Sequence, residues 1–259
     1  MPHGADIRNH GRVNTPDSAP SRLYPRVTSF RSRRGALTAP QQQTWERLWP
    51  VIGADVGDTP VDADAWFGRH APLVLEIGSG TGTATAAMAQ AEPEINLIAI
   101  EVYRPGLAKL LQTIDRETID NIRLLRGDAV DVLESMIAPE SLTGVRVFFP
   151  DPWPKARHHK RRLLKPSAFT LIASRLVPGG VLHVATDHAD YAEAIAEAGN
   201  SEPALRRLDW ESLVQDSSTA EMPMSLERPT TKFEGKAERA GSAVTEFTWM
   251  KSVSTGEEK

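Results

Sequence analysis

Apolar positions along the chain fall into short blocks separated by longer mixed ones. LVLEIG (73–78), NLIAIEV (96–102), NIRLLRGDA (121–129), VRVFFP (145–150) and GVLHVATD (180–187) are brief apolar runs that stop at glycine, proline or an acid. Runs of this length, bounded by breakers, read as strands covered on both faces. Between them, TATAAMAQA (83–91), PGLAKLLQTIDRE (105–117), residues 129–137, PSAFTLIASRL (166–176) and HADYAEAIAEAG (188–199) read as helices, the last closed by its glycine. Five strand–helix units in succession predict an α/β fold, with a doubly wound, mostly parallel sheet. APQQQTWERLWPVIG (39–53) predicts a short helix with Trp45, Leu48 and Trp49 on one face, and residues 53–64 read as loop. SAVTEFTWM (242–250) alternates with period two and predicts a late antiparallel strand. No segment repeats.

Length and composition narrow the class. A chain of 259 residues, 40% hydrophobic, suits one large domain with extensions. No apolar run approaches a membrane span, and the polar start lacks the apolar core of a signal peptide. Cysteine is absent, so disulfides and thiolate metal sites are excluded, and a cytoplasmic location is expected. His158 and His159 have no further ligands at metal spacing, so no metal is expected. The division expected is a disordered tail over 1–28, a basic leading segment with a short helix over 29–60, the main domain over 61–252 and a flexible tail over 253–259.

The net charge of −4 says little about partners, but its distribution does. Residues 1–50 carry eight arginines against three acids, and residues 155–165 carry six basic residues and no acid. Two concentrated basic segments on a mildly acidic chain can grip a polyanion on one side.

Candidate chemistry gathers at the ends of the strand runs. EIGSGTG (76–82) joins the first strand to the first helix. Gly78, Gly80 and Gly82 permit a sharp turn and close approach of a ligand. Position 83 is Thr, so the dinucleotide pattern Gly-x-Gly-x-x-Gly is not met, and the spacing favours a nucleoside without a pyrophosphate. Glu101 ends the second run, 21 residues after Gly80, where a carboxylate can accept both ribose hydroxyls. Asp128 ends the third and is either a partner for an adenine amine or the N-cap of the next helix. The fourth run ends in FFPDPWPKARHHKRRLLK (148–165). Pro150, Pro152 and Pro154 stiffen the chain around Asp151. Trp153 reads as a packing anchor more readily than as a stacking surface. The basic run is a phosphate-binding face or a solvated helix face.

EIGSGTG, IEV and GDA together resemble the class I S-adenosylmethionine-dependent methyltransferases, which have a Rossmann-like sheet. The resemblance implies S-adenosyl-L-methionine as cofactor, with Glu76 and the glycine loop at its methionine part, Glu101 on the ribose and Asp128 near the adenine. PDPWPKARHHKRRL further resembles the bacterial tRNA (guanine-N7-)-methyltransferases. LHVATDHADYA (182–192), RPTTKFEGKAERAG (228–241) and SFRSRRGALTAPQQ (29–42) agree with that family, so the similarity runs from about Ser29 to Met250. It implies tRNA as partner and a variable-loop guanine as target. It implies cofactor and catalytic contacts for Asp151, and substrate contacts for Lys155, Asp187, Thr231, Lys232, Phe233 and Glu234. It also implies RNA contacts for Arg157, His158, His159, Lys160, Arg161 and Arg162. Asp187 could instead cap a helix, and Lys232 and Glu234 could form a surface ion pair. How Asp151, Asp187 and Glu234 divide the recognition of guanine stays open, as does the choice between monomer and homodimer. Two other readings of the same residues are a class I methyltransferase with another acceptor and a non-catalytic tRNA-binding protein.

Overall fold

The computed structural model of the protein describes residues 28, 35–208, 222–229 and 243–253. Eight strands among them form one sheet: β1 (Gly53–Asp55), β2 (Leu73–Ile77), β3 (Asn96–Glu101), β4 (Ile122–Arg126), β5 (Leu142–Phe148), β6 (Leu176–Thr186), β7 (Leu205–Leu208) and β8 (Thr245–Lys251). Their order across the sheet is β1-β4-β3-β2-β5-β6-β8-β7. Every pairing from β1 to β6 is parallel, and β8 runs antiparallel to both β6 and β7. The doubly wound expectation and the late antiparallel strand are both met.

The helices are α1 (Ala39–Ile52), α2 (Ala63–Phe67), α3 (Thr83–Ala91), α4 (Arg104–Glu117), α5 (Ala129–Ser135), α6 (Pro166–Arg175) and α7 (Ala189–Asn200), with a 3-10 helix over Ala156–Arg161. Two apolar layers sandwich the sheet. On one side Leu107, Leu110 and Leu111 of α4 and Trp45 of α1 meet Val74, Leu97 and Leu124. On the other, Val132 of α5, Phe169 and Ile172 of α6 and Tyr191 and Ile195 of α7 meet Leu75, Ile98 and Val145. Adjacent strand residues thus point into opposite cores, which is why β2 and β3 read as unbroken apolar runs.

Local chemistry sets the boundaries. Thr38 caps α1, and its backbone N–H donates to Gln41 Oε1 at 3.0 Å in a reciprocal box. Asp128 caps α5 by accepting from Val130 N at 2.9 Å.

Three expectations are corrected. Residues 53–64 are not all loop: β1 pairs with β4 there, and α2 begins at Ala63. The sixth strand starts at Leu176 rather than 180, because its pairing with β5 passes Pro178 through an irregularity opposite Leu142 and Gly144. Gly199 does not close α7, which runs to Asn200. A Cβ at Gly199 would lie 2.4 Å from the Trp249 indole, so this glycine lets a ring pack against the helix.

Candidate functional site

Parallel strands place all their C-terminal ends on one edge of the sheet, where open α/β sheets bind ligands. Here the adjacent strands β5, β2, β3 and β4 end respectively at Phe148 before Asp151, at Ile77 before the glycine loop, at Glu101, and at Arg126 before Asp128. The chain order brings the four candidate segments side by side, as their positions at strand ends predict.

The loop after β2 is built on backbone that side chains resist. Gly78, Gly80 and Gly82 have φ of 83°, 58° and 73°. Its N–H groups at Gly78 and Ser79 donate to Ile100 O at 2.9 and 3.1 Å, folding the loop toward β3. Glu101 completes the tie. Its Oε2 accepts from Gly80 N at 2.9 Å, and its Oε1 accepts from Val102 N and Tyr103 N at 2.7 and 2.8 Å. These bonds fix the direction of the carboxylate at the mouth of the loop.

Two observations suit this edge to a ligand. A Cβ added at Gly78 or Gly80 would meet nothing within 4 Å, so both glycines face open space, not packed protein. Three buried oxygens around the turn, Glu76 Oε2, Ser79 Oγ and Thr85 Oγ1, make no hydrogen bond of normal geometry, although the Thr85 hydroxyl stands near enough to Glu76 to favour its charged form. Buried polar atoms left in this state call for a partner. Glu76 is buried in β2, and its desolvation pushes the carboxyl up to about 7. Thr85 and Arg146 oppose that rise and Glu101 adds to it.

The turn leaving β5 is strained. Phe149 and Trp153 hold φ of 50° and 45°, uncommon for large L-residues. Phe149 N donates to Ala185 O at 2.8 Å, which keeps the turn against β6. Trp153 is buried, with the His158 ring edge-on at 5.9 Å and the Arg161 guanidinium 4.9 Å above it. It anchors the loop by packing, and Asp151 stands half-buried between the two strained residues.

A family described as "Putative methyltransferase" matches residues 70–247. The chain is 66% identical over 265 residues to a tRNA (guanine-N(7)-)-methyltransferase of Rhodococcus jostii (strain RHA1), covering 97% of this chain and 99% of that one. It is 72% identical over 232 residues to a protein of the same name from Nocardia farcinica (strain IFM 10152), covering 89% and 86%. A third, from Mycobacterium avium (strain 104), is 56% identical over 257 residues, covering 96% of each. The chain belongs to the tRNA (guanine-N7-)-methyltransferases. S-adenosyl-L-methionine is the cofactor of this methyltransferase. The open glycine face, the Glu101 carboxylate and the unpartnered Glu76 oxygen fit a nucleoside that carries a cationic amino acid.

In this tRNA (guanine-N7-)-methyltransferase the basic run sorts into two kinds of residue. Lys155, Arg157 and Lys160 are exposed, while His158, His159 and Arg161 are half-buried. Arg162 is turned inward, against its expected RNA contact. Its Nε donates to Pro152 O at 2.9 Å, its Nη2 pairs with Asp190 Oδ2, and its plane lies 4.7 Å from the Tyr191 ring. A short 3-10 helix rotates successive basic residues by about 120°, so one of them must face the body of the protein.

Asp187 follows β6 at the same edge of the sheet. The N-cap of α7 is His188, and no side chain caps that helix, so Asp187 is not a cap. Thr231, Lys232, Phe233 and Glu234 lie outside the described residues. No group of three or more His, Cys, Asp or Glu side chains suited to a metal occurs among the described residues. No described helix is long and apolar enough to cross a membrane.

Sequence reasoning missed the cluster beyond β6. His183 Nε2 and Arg228 Nη2 both meet Glu246, at 2.8 and 2.6 Å. The three residues line a cavity of about 820 Å³ together with Arg207, Phe247 and Thr248. Period-two alternation in β8 was the available signal, since it sets Glu246 and Thr248 on one face.

Proposed function

We infer that the protein transfers the methyl group of S-adenosyl-L-methionine to N7 of a guanine in tRNA. Acids at the ends of adjacent parallel strands, beside an exposed basic segment, carry this reading. The cofactor supplies the activated methyl when bound. Guanine N7 has an in-plane lone pair and no hydrogen, so no group need remove a proton before attack. The protein's task is to hold the base in line and to stabilise the positive charge that moves onto the purine.

Asp151 is the group proposed for that charge. The strained turn and the packed Trp153 keep it from swinging away. Glu76, Gly78, Gly80, Gly82, Glu101 and Asp128 are assigned to the cofactor, with Asp151 at its reacting end. Lys155, Asp187 and Thr231 to Glu234 are assigned to the acceptor nucleotide. Arg157, His158, His159, Lys160 and Arg161 are assigned to flanking phosphates. N7 of a guanine inside an A-form stem lies in a deep, narrow groove, so the target sits in a loop such as the variable loop or leaves its stack. The tRNA substrate is the ground for assigning the protein to the cytoplasm.

Incubation with labelled S-adenosyl-L-methionine and unmodified tRNA, followed by mapping of the product, tests the reading. Label on guanine N7 supports it. tRNA binding without transfer, or transfer to a non-RNA acceptor alone, overturns it. Asp151→Ala is expected to lower turnover at least about a hundredfold with the melting temperature retained.

A further inference from the structure

A polar row crosses the centre of an otherwise apolar sheet. Reading in register, Ala99, Glu76, Arg146, His183 and Thr248 are successive partners on β3, β2, β5, β6 and β8. In-register neighbours share a face. Glu76 and Arg146 are 4% and 0% exposed. Arg146 Nη2 donates to Glu92 Oε2 at 2.5 Å and to Ser225 O at 3.1 Å. Its Nε and Nη1 make no hydrogen bond, and neither does Glu76 Oε2. A buried guanidinium with two idle donor nitrogens beside a carboxylate with an idle oxygen costs stability, so a role beyond holding the fold is indicated.

We propose that Arg146 is a positioning residue for the cofactor, holding the neighbouring Glu76 carboxylate in the charged form that receives the cationic amino end of S-adenosyl-L-methionine. This rests on the reading of the cleft as that cofactor's site. Few groups face Glu76: Glu101 from β3, the Thr85 hydroxyl from α3 and Arg146 from β5. Glu92, just after α3, and His183 on β6 adjoin Arg146. Arg146 is the permanent cation in this set. Burial favours the neutral acid at Glu76 and the Glu101 charge reinforces that preference; the Thr85 hydroxyl and, after it, the Arg146 guanidinium oppose them, and Arg146 is the only one of these groups that brings a positive charge. A neutral Glu76 cannot pair with an ammonium group.

The test is the pH dependence of S-adenosyl-L-methionine binding, measured by calorimetry from about pH 6 to about pH 9. The cofactor's own amino group titrates identically with every variant, so differences between variants report on the protein. Arg146→Met is combined with Glu92→Gln, so that no buried carboxylate is orphaned and Ser225 N keeps its acceptor. In the pair, binding is expected to be about fivefold weaker at pH 7 and close to the unmodified protein at about pH 9, the result of a one-unit rise at Glu76. Arg146→Lys, which restores a cation, is expected to recover most of that loss, and Glu76→Gln to remove the difference between the two backgrounds. A merely structural Arg146 would weaken binding equally at all pH values, and that result overturns the proposal. Failure of the unmodified protein to bind at any pH overturns the cofactor reading beneath it. If the pair does not fold, Arg146→Gln combined with Glu92→Gln is measured in its place: a pH profile displaced upward supports the proposal, and an equal loss at all pH values overturns it.

Discussion

Gly106 shows how one hydrogen atom can shape a binding site. It lies buried in the first turn of α4, where alanine would ordinarily raise helix stability by about 1 kcal/mol. A Cβ there would stand 2.1 Å from Gly80 O and 3.1 Å from Gly80 C. Both are backbone atoms of the glycine loop, which Glu101 already ties from the other side. No side-chain rotation relieves such a clash, so either the helix or the loop must move. Gly106→Ala is therefore expected to destabilise the protein by about 1–3 kcal/mol and to weaken cofactor binding about tenfold or more. Thermal melting and calorimetric titration with S-adenosyl-L-methionine measure the two effects. The loop glycines were legible in EIGSGTG because their spacing follows a strand directly. Gly106 was not, since its reason is a contact with a residue 26 positions earlier.

At the scale of elements, the connection from β5 to α6 combines a scaffold with a phosphate-facing surface. Arg162 clasps the Pro152 carbonyl and Asp190 at the start of α7, and so holds the Asp151 loop against the body of the protein. Removing the buried guanidinium leaves the Pro152 carbonyl without its donor, while the exposed Asp190 turns to water. Arg162→Ala is expected to cost about 2–3 kcal/mol and to lower turnover through a loosened loop. Lys160→Ala is expected to leave the melting temperature within about 1 °C, because the side chain is exposed. Its effect should be on tRNA affinity, with the salt slope reduced by about one. Denaturation together with tRNA binding at several salt concentrations separates the two residues, and equal effects would contradict the division. Charge alone made all the residues from Arg157 to Arg162 look alike in sequence. The 3-10 turn that separates them forms against Trp153 and Tyr191, which no local pattern reveals. The five central strands were legible because burial on both faces makes them continuously apolar. β1 (Gly-Ala-Asp) and β7 (Leu-Arg-Arg-Leu) were not, being three- and four-residue strands at the two sheet edges that owe their form to β4 and β8.

Across the whole molecule, the acidic and basic groups that escape the central site close the far half of the sheet. Glu246 at the start of β8 accepts from His183 of β6 and Arg228 of the 222–229 segment, while Arg228 lies 5.1 Å from the Phe149 ring. One carboxylate thus joins the antiparallel edge to the turn that carries Asp151. Burial alone would raise the Glu246 carboxyl, but its hydrogen bonds to His183 and Arg228 prevail and hold it at about 2. The sign of the pH effect follows from linkage. A carboxyl more acidic in the folded than in the unfolded chain stabilises the fold fully above its unfolded pKa of about 4.5, and that contribution is lost as pH falls toward about 2. Partial exposure of the side chain keeps the effect modest. Glu246→Gln retains the shape and an acceptor oxygen but cannot titrate. The unmodified protein should be the more stable at pH 7, and its advantage should shrink steadily between about pH 5 and about pH 2. Melting temperatures of the two proteins across that range decide the matter: parallel curves would mean that Glu246 does not join β6, β8 and the Asp151 turn through its charge.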